Sequence, residues 1–287
     1  TYDYRGRARY TQAAAAPHSV TLYDNLGRGL TTSLYSSTTS LTGTTNPTSS
    51  ASNRVARSDR AYDARGRVWK STRHEIIQSG GSAGNSNATL DQLSWFDPVG
   101  RLVKSVGPQV TKVEYDRLGR QVRRFIVGTN NDSTYADADD VSGDVVAEES
   151  HTTYDATTGL PIIQANIRRH PNASTSSYGA LYNTTPGTSY SYSNIAGRIS
   201  ISANYYDELD RQTDTASYGT AGITVSAGSW SYAGSVPSRS ATILITCSAY
   251  GADGSVVDVT DPMGRITRTE YDNHGHRTKV TKNYVDG

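Results

Sequence analysis

The sequence is short of the residues that usually build a dry protein core. Its 287 residues include only 2 Phe, 1 Met and 1 Cys, and hydrophobic residues make up 35% of the chain. Tyrosine, with 20 copies, supplies most of the aromatic surface. A tyrosine ring buries apolar area while its hydroxyl needs water or a hydrogen-bond partner. This composition therefore favours a thin sheet with a wet side over a thick apolar core.

Other absences narrow the functional classes. The single Cys247 excludes an internal disulfide framework, and no Cys/His spacing resembles a zinc site. The 28 basic and 27 acidic residues are scattered singly, so the charge pattern indicates neither a nucleic acid nor an anionic membrane as partner. No apolar run approaches the roughly 18 residues that span a bilayer. We also find no nucleophile, base and acid set and no phosphate loop, so we expect no enzyme and no cofactor.

What the sequence does contain is a repeated hexapeptide, Tyr-Asp-x-x-Gly-Arg. Three near-identical copies begin at Tyr2, Tyr23 and Tyr62, a fourth begins at Tyr115, and another has Phe96 in place of Tyr. We assign the following residues to turns of this kind: Tyr2, Asp3, Gly6, Arg7, Tyr23, Asp24, Gly27, Arg28, Tyr62, Asp63, Gly66, Arg67, Asp97, Gly100, Arg101, Tyr115, Asp116, Gly119, Arg120, Asp261, Gly264, Arg265, Tyr271, Asp272 and Gly275.

The spacing of the motif matches one type of turn. A type I turn favours Asp at its first position, Pro at its second and Gly at its fourth, where a left-handed residue forms a bulge and returns the chain as a hairpin. The segments Asp97–Gly100 and Asp261–Gly264 fit every position. Alternating sequence after the turns, as in Ile266–Tyr271, indicates strands. Each repeat is therefore predicted to be a β-hairpin in which the Asp contacts the Arg and the Arg stacks on the Tyr.

Degenerate copies follow the same chemistry. In the copy at Tyr206, Asp210 stands where Gly is expected, and Asp tolerates the left-handed region better than most residues. Further variants begin at Tyr154, Tyr192 and Tyr250. About ten turns of this kind predict an all-β chain of roughly 14 to 20 strands.

These motifs resemble those of the RHS/YD-repeat family, which includes bacterial toxin shells and teneurin-like surface proteins. The resemblance covers essentially the whole chain. It implies tandem hairpins joined into one long antiparallel strip that spirals into a shell, barrel or fibre. Family members that encapsulate a toxin end in a core motif with an autoproteolytic Asp, and this sequence shows no such motif.

The repeats are spaced unevenly, and the long intervals are polar. We expect residues 1–287 to form a single YD-repeat region with loop insertions near 35–53, 78–90, 128–150, 170–190 and 219–240, all on one rim of the strip. The chain has no initiating Met and begins inside a repeat. We therefore expect a fragment of a longer protein, with its targeting signal elsewhere and a secreted or cell-surface location.

Two kinds of site are candidates in the insertions. Asp137, Asp139, Asp140 and Asp144 supply hard oxygen atoms in one short segment, which is a weak Ca²⁺ candidate because the spacing departs from that of an EF-hand loop. A solvated acidic loop is the alternative. The pattern Asn-x-Ser/Thr marks four candidate glycosylation sites, at Asn87, Asn131, Asn172 and Asn183.

Three functions remain open from the sequence. The first is a structural extracellular segment that builds a surface stalk, wall or self-assembling fibre, with neighbouring copies or the rest of its own chain as partners. The second is a carbohydrate-binding or adhesion surface that uses exposed Tyr together with Trp69, Trp95 or Trp230. The third is part of a shell that encapsulates a C-terminal toxin, which rests on the resemblance.

Overall fold

The computed structural model is almost entirely β-sheet, as the repeat pattern predicts. Two compact units divide the chain, one from Thr1 to Val110 and the other from Thr111 to Gly287. The described part contains one 3-10 helix, Ala136–Asp139, and no helix long and apolar enough to cross a membrane. The structure describes residues 1–39, 41–49, 51–79, 82–83, 88–132, 134, 136–174, 178–181, 189–192, 197–220 and 228–285.

The strands of the first unit follow each other along an antiparallel sheet in the order β1-β2-β3-β4-β5-β8-β9, while β6 and β7 form a separate small hairpin. The strands are β1 (Tyr10–Thr11), β2 (His18–Tyr23), β3 (Gly29–Tyr35), β4 (Arg54–Tyr62), β5 (Val68–His74), β6 (Gln78–Ser79), β7 (Ser82–Ala83), β8 (Thr89–Phe96) and β9 (Leu102–Val106). Strand β10 (Val110–Tyr115) begins at the unit boundary.

The second unit continues the same pattern in the order β11-β12-β13-β15-β16-β18-β19-β20-β21, with β14 and β17 paired separately. Its strands are β11 (Gln121–Thr129), β12 (Val145–Tyr154), β13 (Pro161–Arg169), β14 (Ser189–Tyr192), β15 (Gly197–Tyr206), β16 (Gln212–Gly219), β17 (Gly228–Ser231), β18 (Leu244–Tyr250), β19 (Val256–Thr260), β20 (Ile266–Tyr271) and β21 (Arg277–Tyr284).

In each unit the short motif turns lie at one end of the strands and the long connections at the other, because successive strands of an antiparallel meander run in opposite directions. The turn at Asp24 joins β2 to β3, and the long segment 36–53 then joins β3 to β4. The turn at Asp261 is an exception, since it joins β19 to β20 at the end of the strands opposite the turn at Asp272.

Several predicted insertions have different bounds in the structure. The segment predicted as a loop over 128–150 ends earlier, because β12 begins at Val145 and pairs with β11. Segment 78–90 contains β6, β7 and the start of β8, segment 170–190 contains the start of β14, and segment 219–240 contains β17. Large parts of these segments lie outside the described residues. Polar residues at alternate positions can pair as strands, so a polar composition does not by itself distinguish a loop from a strand.

The core lies on one face of the second unit. Along β13 and β15, buried and exposed residues alternate, so that Ile163 faces Ala203 and Ala165 faces Ile201 across the strands. Leu181 from the 170–190 insertion is also buried, with 4% of its surface exposed. The insertion therefore contributes to the core, and strand alternation supplies the rest.

The corresponding face of the first unit is polar. Arg57 makes two hydrogen bonds to Asp59, at 3.1 and 2.7 Å, and Asp59 also contacts His74 at 2.7 Å. The 36–53 segment folds against this region, where the carbonyl of Pro47 accepts a hydrogen bond from the Ser33 hydroxyl at 2.7 Å. Hydrogen bonds and ion pairs thus occupy positions that hold aliphatic side chains in the second unit.

Candidate functional site

The repeated turn is the most regular chemical feature of the molecule, and Asp24 shows how it works. The amide of Gly27 donates to the carbonyl of Asp24 at 3.1 Å, and the amide of Asp24 donates to the carbonyl of Arg28 at 2.9 Å. One carboxylate oxygen of Asp24 accepts the amides of Leu26 and Arg28, both at 2.9 Å. Gly27 has φ +88°, which a residue with a side chain rarely adopts. A bulge at Tyr23 then returns the chain.

The second carboxylate oxygen of the turn Asp holds the Arg four residues later. In Asp24 this oxygen accepts the Arg28 Nε hydrogen at 2.6 Å. The same contact recurs at 2.6 to 2.8 Å in seven turns. These pairs are Asp3 with Arg7, Asp24 with Arg28, Asp63 with Arg67, Asp97 with Arg101, Asp116 with Arg120, Asp207 with Arg211 and Asp261 with Arg265.

The Arg held in this way stacks on the aromatic ring of the next repeat in the row of turns at the strand ends. Arg28, for example, lies 4.7 Å from the ring centroid of Tyr62. The sequence predicted stacking on the Tyr of the same hairpin, but the bulge places the guanidinium against the neighbouring turn instead. The described pairs, at 4.3 to 4.7 Å, are Arg7 with Tyr23, Arg28 with Tyr62, Arg67 with Phe96, Arg120 with Tyr154 and Arg211 with Tyr250.

The tyrosine hydroxyl completes the link between repeats. Tyr62 donates to the carbonyl of Gly29, the residue after Arg28, at 2.9 Å. This bond also forms where the Arg is missing, since Tyr206 donates to the carbonyl of Pro161 at 3.0 Å and Tyr271 to that of Val256 at 3.1 Å. We call the combination of turn Asp, clamped Arg and next aromatic ring the turn clamp. It joins consecutive repeats through side chains as well as through the backbone.

The turn clamp also favours charged carboxylates. At Asp3, the hydrogen bond from Arg7 is the largest influence and lowers the pKa to about 2, although partial loss of hydration acts in the opposite direction. At Asp24 and Asp63, lost hydration raises the pKa, but amide and guanidinium donors outweigh it and the pKa is lowered overall. The turns are therefore held by ionised Asp across the neutral pH range.

The described degenerate turns are closed by backbone hydrogen bonds; those at Asp155 and Asp272 lack the clamped Arg, whereas that at Asp207 keeps Arg211. Asp210 takes the place of Gly with φ +61°, as the sequence suggested. The turn at Asp155 is one residue longer and closes with Gly159. His276 replaces the Arg and lies 3.2 Å from Asp272. The turn predicted after Tyr192 falls outside the described residues.

The acidic segment predicted as a calcium site holds a cation that the chain itself supplies. The Lys112 ammonium lies 2.7 Å from a carboxylate oxygen of Asp132 and 2.7 Å from one of Asp144. The carbonyls of Asp137 and Asp140 accept hydrogen bonds from the same ammonium, at 2.9 and 2.5 Å. Calcium would have to displace Lys112 to use these oxygens.

The remaining acidic groups of this segment serve the backbone or face solvent. The Asp137 carboxylate accepts the amide of Thr134 at 2.9 Å, and the Asp140 carboxylate accepts that of Ser142 at 2.7 Å. Asp139 is exposed. Within the described part of the chain, no group of three or more His, Cys, Asp or Glu side chains is arranged to hold a metal ion.

Two of the four glycosylation candidates can be placed. Asn172 is exposed in a turn. Asn131 is also exposed, but its side-chain amide donates to the carbonyl of Gly143 at 2.6 Å, a bond that an attached sugar would weaken. Asn87 and Asn183 lie outside the described residues.

A buried ionic cluster in the second unit was not predicted from the sequence. Glu149 lies 2.6 Å from Arg123, contacts His151 and accepts the amide of Leu181 at 2.7 Å. Burial raises the pKa of Glu149, but the hydrogen bond from His151 and the charge of Arg123 outweigh it and leave the pKa lowered. Charged residues at inward positions of alternating strands, such as Lys112 and Glu149, were the available signal.

Comparison with known proteins supports the repeat assignment. Residues 250–284, from the end of β18 through β21, match the family model for the RHS repeat. This match supports the RHS/YD-repeat prediction over residues 250–284, and the same turn geometry recurs from Asp3 onwards. No curated protein matches the chain in sequence.

Solved structures of toxin complexes give weak alignments. A crystal structure of TcdB2-TccC3 without its hypervariable C-terminal region is 15% identical, with a TM-score of 0.33 over 92% of this chain and 14% of that chain. A second TcdB2-TccC3 structure is 15% identical, with a TM-score of 0.30 over 98% of this chain and 16% of that one. A Tc holotoxin pore from Photorhabdus luminescens is 14% identical, with a TM-score of 0.25 over 93% and 14%. The chain thus spans 14% to 16% of the length of these structures.

Proposed function

We propose that this run of RHS repeats is a structural, non-catalytic wall segment of a longer secreted or cell-surface protein. The observation that carries the proposal is the turn clamp. In it, the polar groups of the motif bond to one another, to the backbone and to the next aromatic ring. Asp24, Arg28 and Tyr62 are all used in this way. The motif therefore serves to add one hairpin to the next along a sheet.

The outer strand β21 suggests which partner this wall segment binds. Within the described residues, β21 pairs with β20 on one side, and most of its residues are exposed. An open strand edge presents unpaired amides and carbonyls that can accept another strand. We propose that the partner is a neighbouring repeat, supplied by the rest of the protein's own chain or by a second copy.

Sedimentation velocity and negative-stain microscopy of the purified chain test this assembly. We expect particles that grow with concentration, and Val280→Lys should shift them toward monomers because a charge on an edge strand opposes pairing. Val280 is 44% exposed on β21, whereas the control Val259→Lys changes a residue that is 37% exposed on β19, a strand paired on both sides.

The outcomes separate the alternatives. Filaments that Val280→Lys shortens would support a fibre or stalk, and closed hollow particles would support the encapsulating shell. Monomers at every concentration, or equal effects of the two substitutions, would contradict assembly through β21.

A further inference from the structure

The exposed face of the second unit carries two arginines side by side. In β13 and β15 every second residue lies on the face away from the core. The exposed residues on this face include Asn166, Arg168, Arg198 and Ser200. Arg168 is the direct cross-strand neighbour of Arg198, and Asn166 is that of Ser200. Like charges placed directly opposite each other destabilise a sheet. This pair therefore stands at a position where folding alone favours other residues.

The surroundings of these arginines differ from those of the clamped ones. Arg28 and its equivalents are each held by a turn Asp. By contrast, Arg198 makes no hydrogen bond or ion pair to any described residue. Arg168 lies 3.6 Å from Glu148, with 78% and 46% of the two side chains exposed. An exposed pair at that distance neutralises little charge, so the two guanidinium groups remain available to a ligand.

A cavity lies beside the arginines. It has a volume of about 430 Å³ and is lined by Asn166, Arg168, Arg198, Ser200 and Thr220, together with Ile199 and Gly219. Two guanidinium groups offer paired donors that match the oxygens of a carboxylate or sulfate. The amide of Asn166 and the hydroxyls of Ser200 and Thr220 can bond to neutral hydroxyl groups next to such an anion.

From this geometry we infer that the cavity beside Arg168 and Arg198 binds an acidic polysaccharide, through a carboxylate or sulfate group on one of its sugars. Strands β13 and β15 are paired on both sides, so a peptide cannot add to them as a strand and recognition must use side chains. Among the described residues, the lining has no aromatic ring on which a nucleobase would stack. Hydroxyl and amide groups around two arginines suit a charged sugar best. This inference does not depend on assembly through β21.

Fluorescence anisotropy with the full chain tests the site. The probes are labelled oligosaccharides of heparin, which carries sulfate and carboxylate groups, and of polygalacturonate, which carries carboxylates alone. We expect saturable binding of at least one probe and a loss of roughly tenfold or more in affinity in Arg168→Gln/Arg198→Gln, because hydrogen bonds between charged groups are the strong ones. The two probes distinguish a sulfate site from a carboxylate site.

The control variant is Arg60→Gln/Arg73→Gln, which removes the same charge from two exposed arginines of the first unit. It should bind the probe as the unaltered chain does, and both variants should show unchanged circular dichroism. Equal losses in the two variants would show general charge attraction and would overturn the inference. So would an absence of binding to both probes, or equally tight binding of polyglutamate or single-stranded DNA.

Discussion

The two units of the chain use the same turn but build different sheet faces. Of the twenty buried hydrophobic residues in the described part, three lie in the first unit and seventeen in the second. In the second unit the buried Ile201 is paired with Ala165 across the strands, whereas in the first unit Arg57, Asp59 and His74 form an ionic network. The two units therefore share the turn clamp at their strand ends, while the residues on their sheet faces differ.

The largest expected effect comes from the buried lysine of the second unit. Lys112→Met leaves Asp132 and Asp144 without the charge that compensates them, and removing one partner of a buried ion pair costs about 3–5 kcal/mol. The matched variant in the first unit is Lys70→Met, because Lys70 and Asp91 are both 36% exposed and such a pair contributes at most about 1 kcal/mol.

Hydrogen exchange followed by mass spectrometry measures this contrast, since it reports on each unit separately. Protection should fall around residues 130–144 in Lys112→Met and stay nearly unchanged in Lys70→Met. Added calcium should not change hydrogen exchange in the unsubstituted chain, because the Lys112 ammonium already binds the carboxylate and carbonyl oxygens of this segment. Equal losses in the two variants would contradict the difference in burial.

The next effect concerns the apolar face. Ile201, of which 2% is exposed, should destabilise the second unit by about 2–5 kcal/mol when changed to Ala, because the loss of buried surface adds to the cost of a cavity. In the first unit Thr72→Val removes the hydroxyl that donates to Asp91 at 2.7 Å, and we expect about 1 kcal/mol. Urea unfolding, read by hydrogen exchange in each unit, measures both. A larger loss in Thr72→Val would mean that the polar face carries more stability than its exposure indicates.

A smaller effect isolates the stacking part of the turn clamp. Arg28 is held by Asp24 and stacks on Tyr62, whereas Arg265 is held by Asp261 and contacts no aromatic ring among the described residues. Arg28→Ala should lower the melting temperature by about 2–4 °C, and Arg265→Ala by less than about 2 °C. Differential scanning fluorimetry provides the comparison, and equal shifts would mean that the stacking contributes nothing.

The fold was predictable because its signal is local. Asp24, Gly27 and Arg28 specify a turn within five residues, and the alternation after each turn specifies a strand. The link from Arg28 to Tyr62 was predicted to the wrong ring, because the stacking partner depends on the bulge and on which hairpin comes next.

The candidate sites were less predictable because their partners come from distant strands. The calcium hypothesis used four acidic residues that are close in sequence, but Lys112 reaches the same oxygens from β10. Likewise, only the register of β13 and β15 places Arg168 beside Arg198. Sequence spacing along one segment carries no information on such contacts.

Acid should destabilise the two units to different extents, and at moderate pH this is the smallest of the predicted effects. In the first unit lost hydration raises the pKa of Asp59, but Arg57 and His74 outweigh it, and Lys70 and Thr72 lower that of Asp91. A carboxyl whose pKa is lower in the folded than in the unfolded state stabilises the fold above the unfolded pKa of about 4, and this stability is lost as the pH falls through the folded pKa.

The turn Asp residues act in the same direction in both units, as the pKa of about 2 at Asp3 illustrates. In the second unit, Glu149 and Asp258 also have lowered pKa values, but burial raises the pKa of Glu114, so protonation of Glu114 favours the folded state and opposes their loss as the pH falls. We therefore expect the first unit to lose hydrogen-exchange protection before the second between about pH 4 and pH 2, after correction for intrinsic exchange. Asp59→Asn/Asp91→Asn should flatten the response of the first unit and leave that of the second unchanged. If the second unit opens first, its apolar face is not the more acid-resistant one.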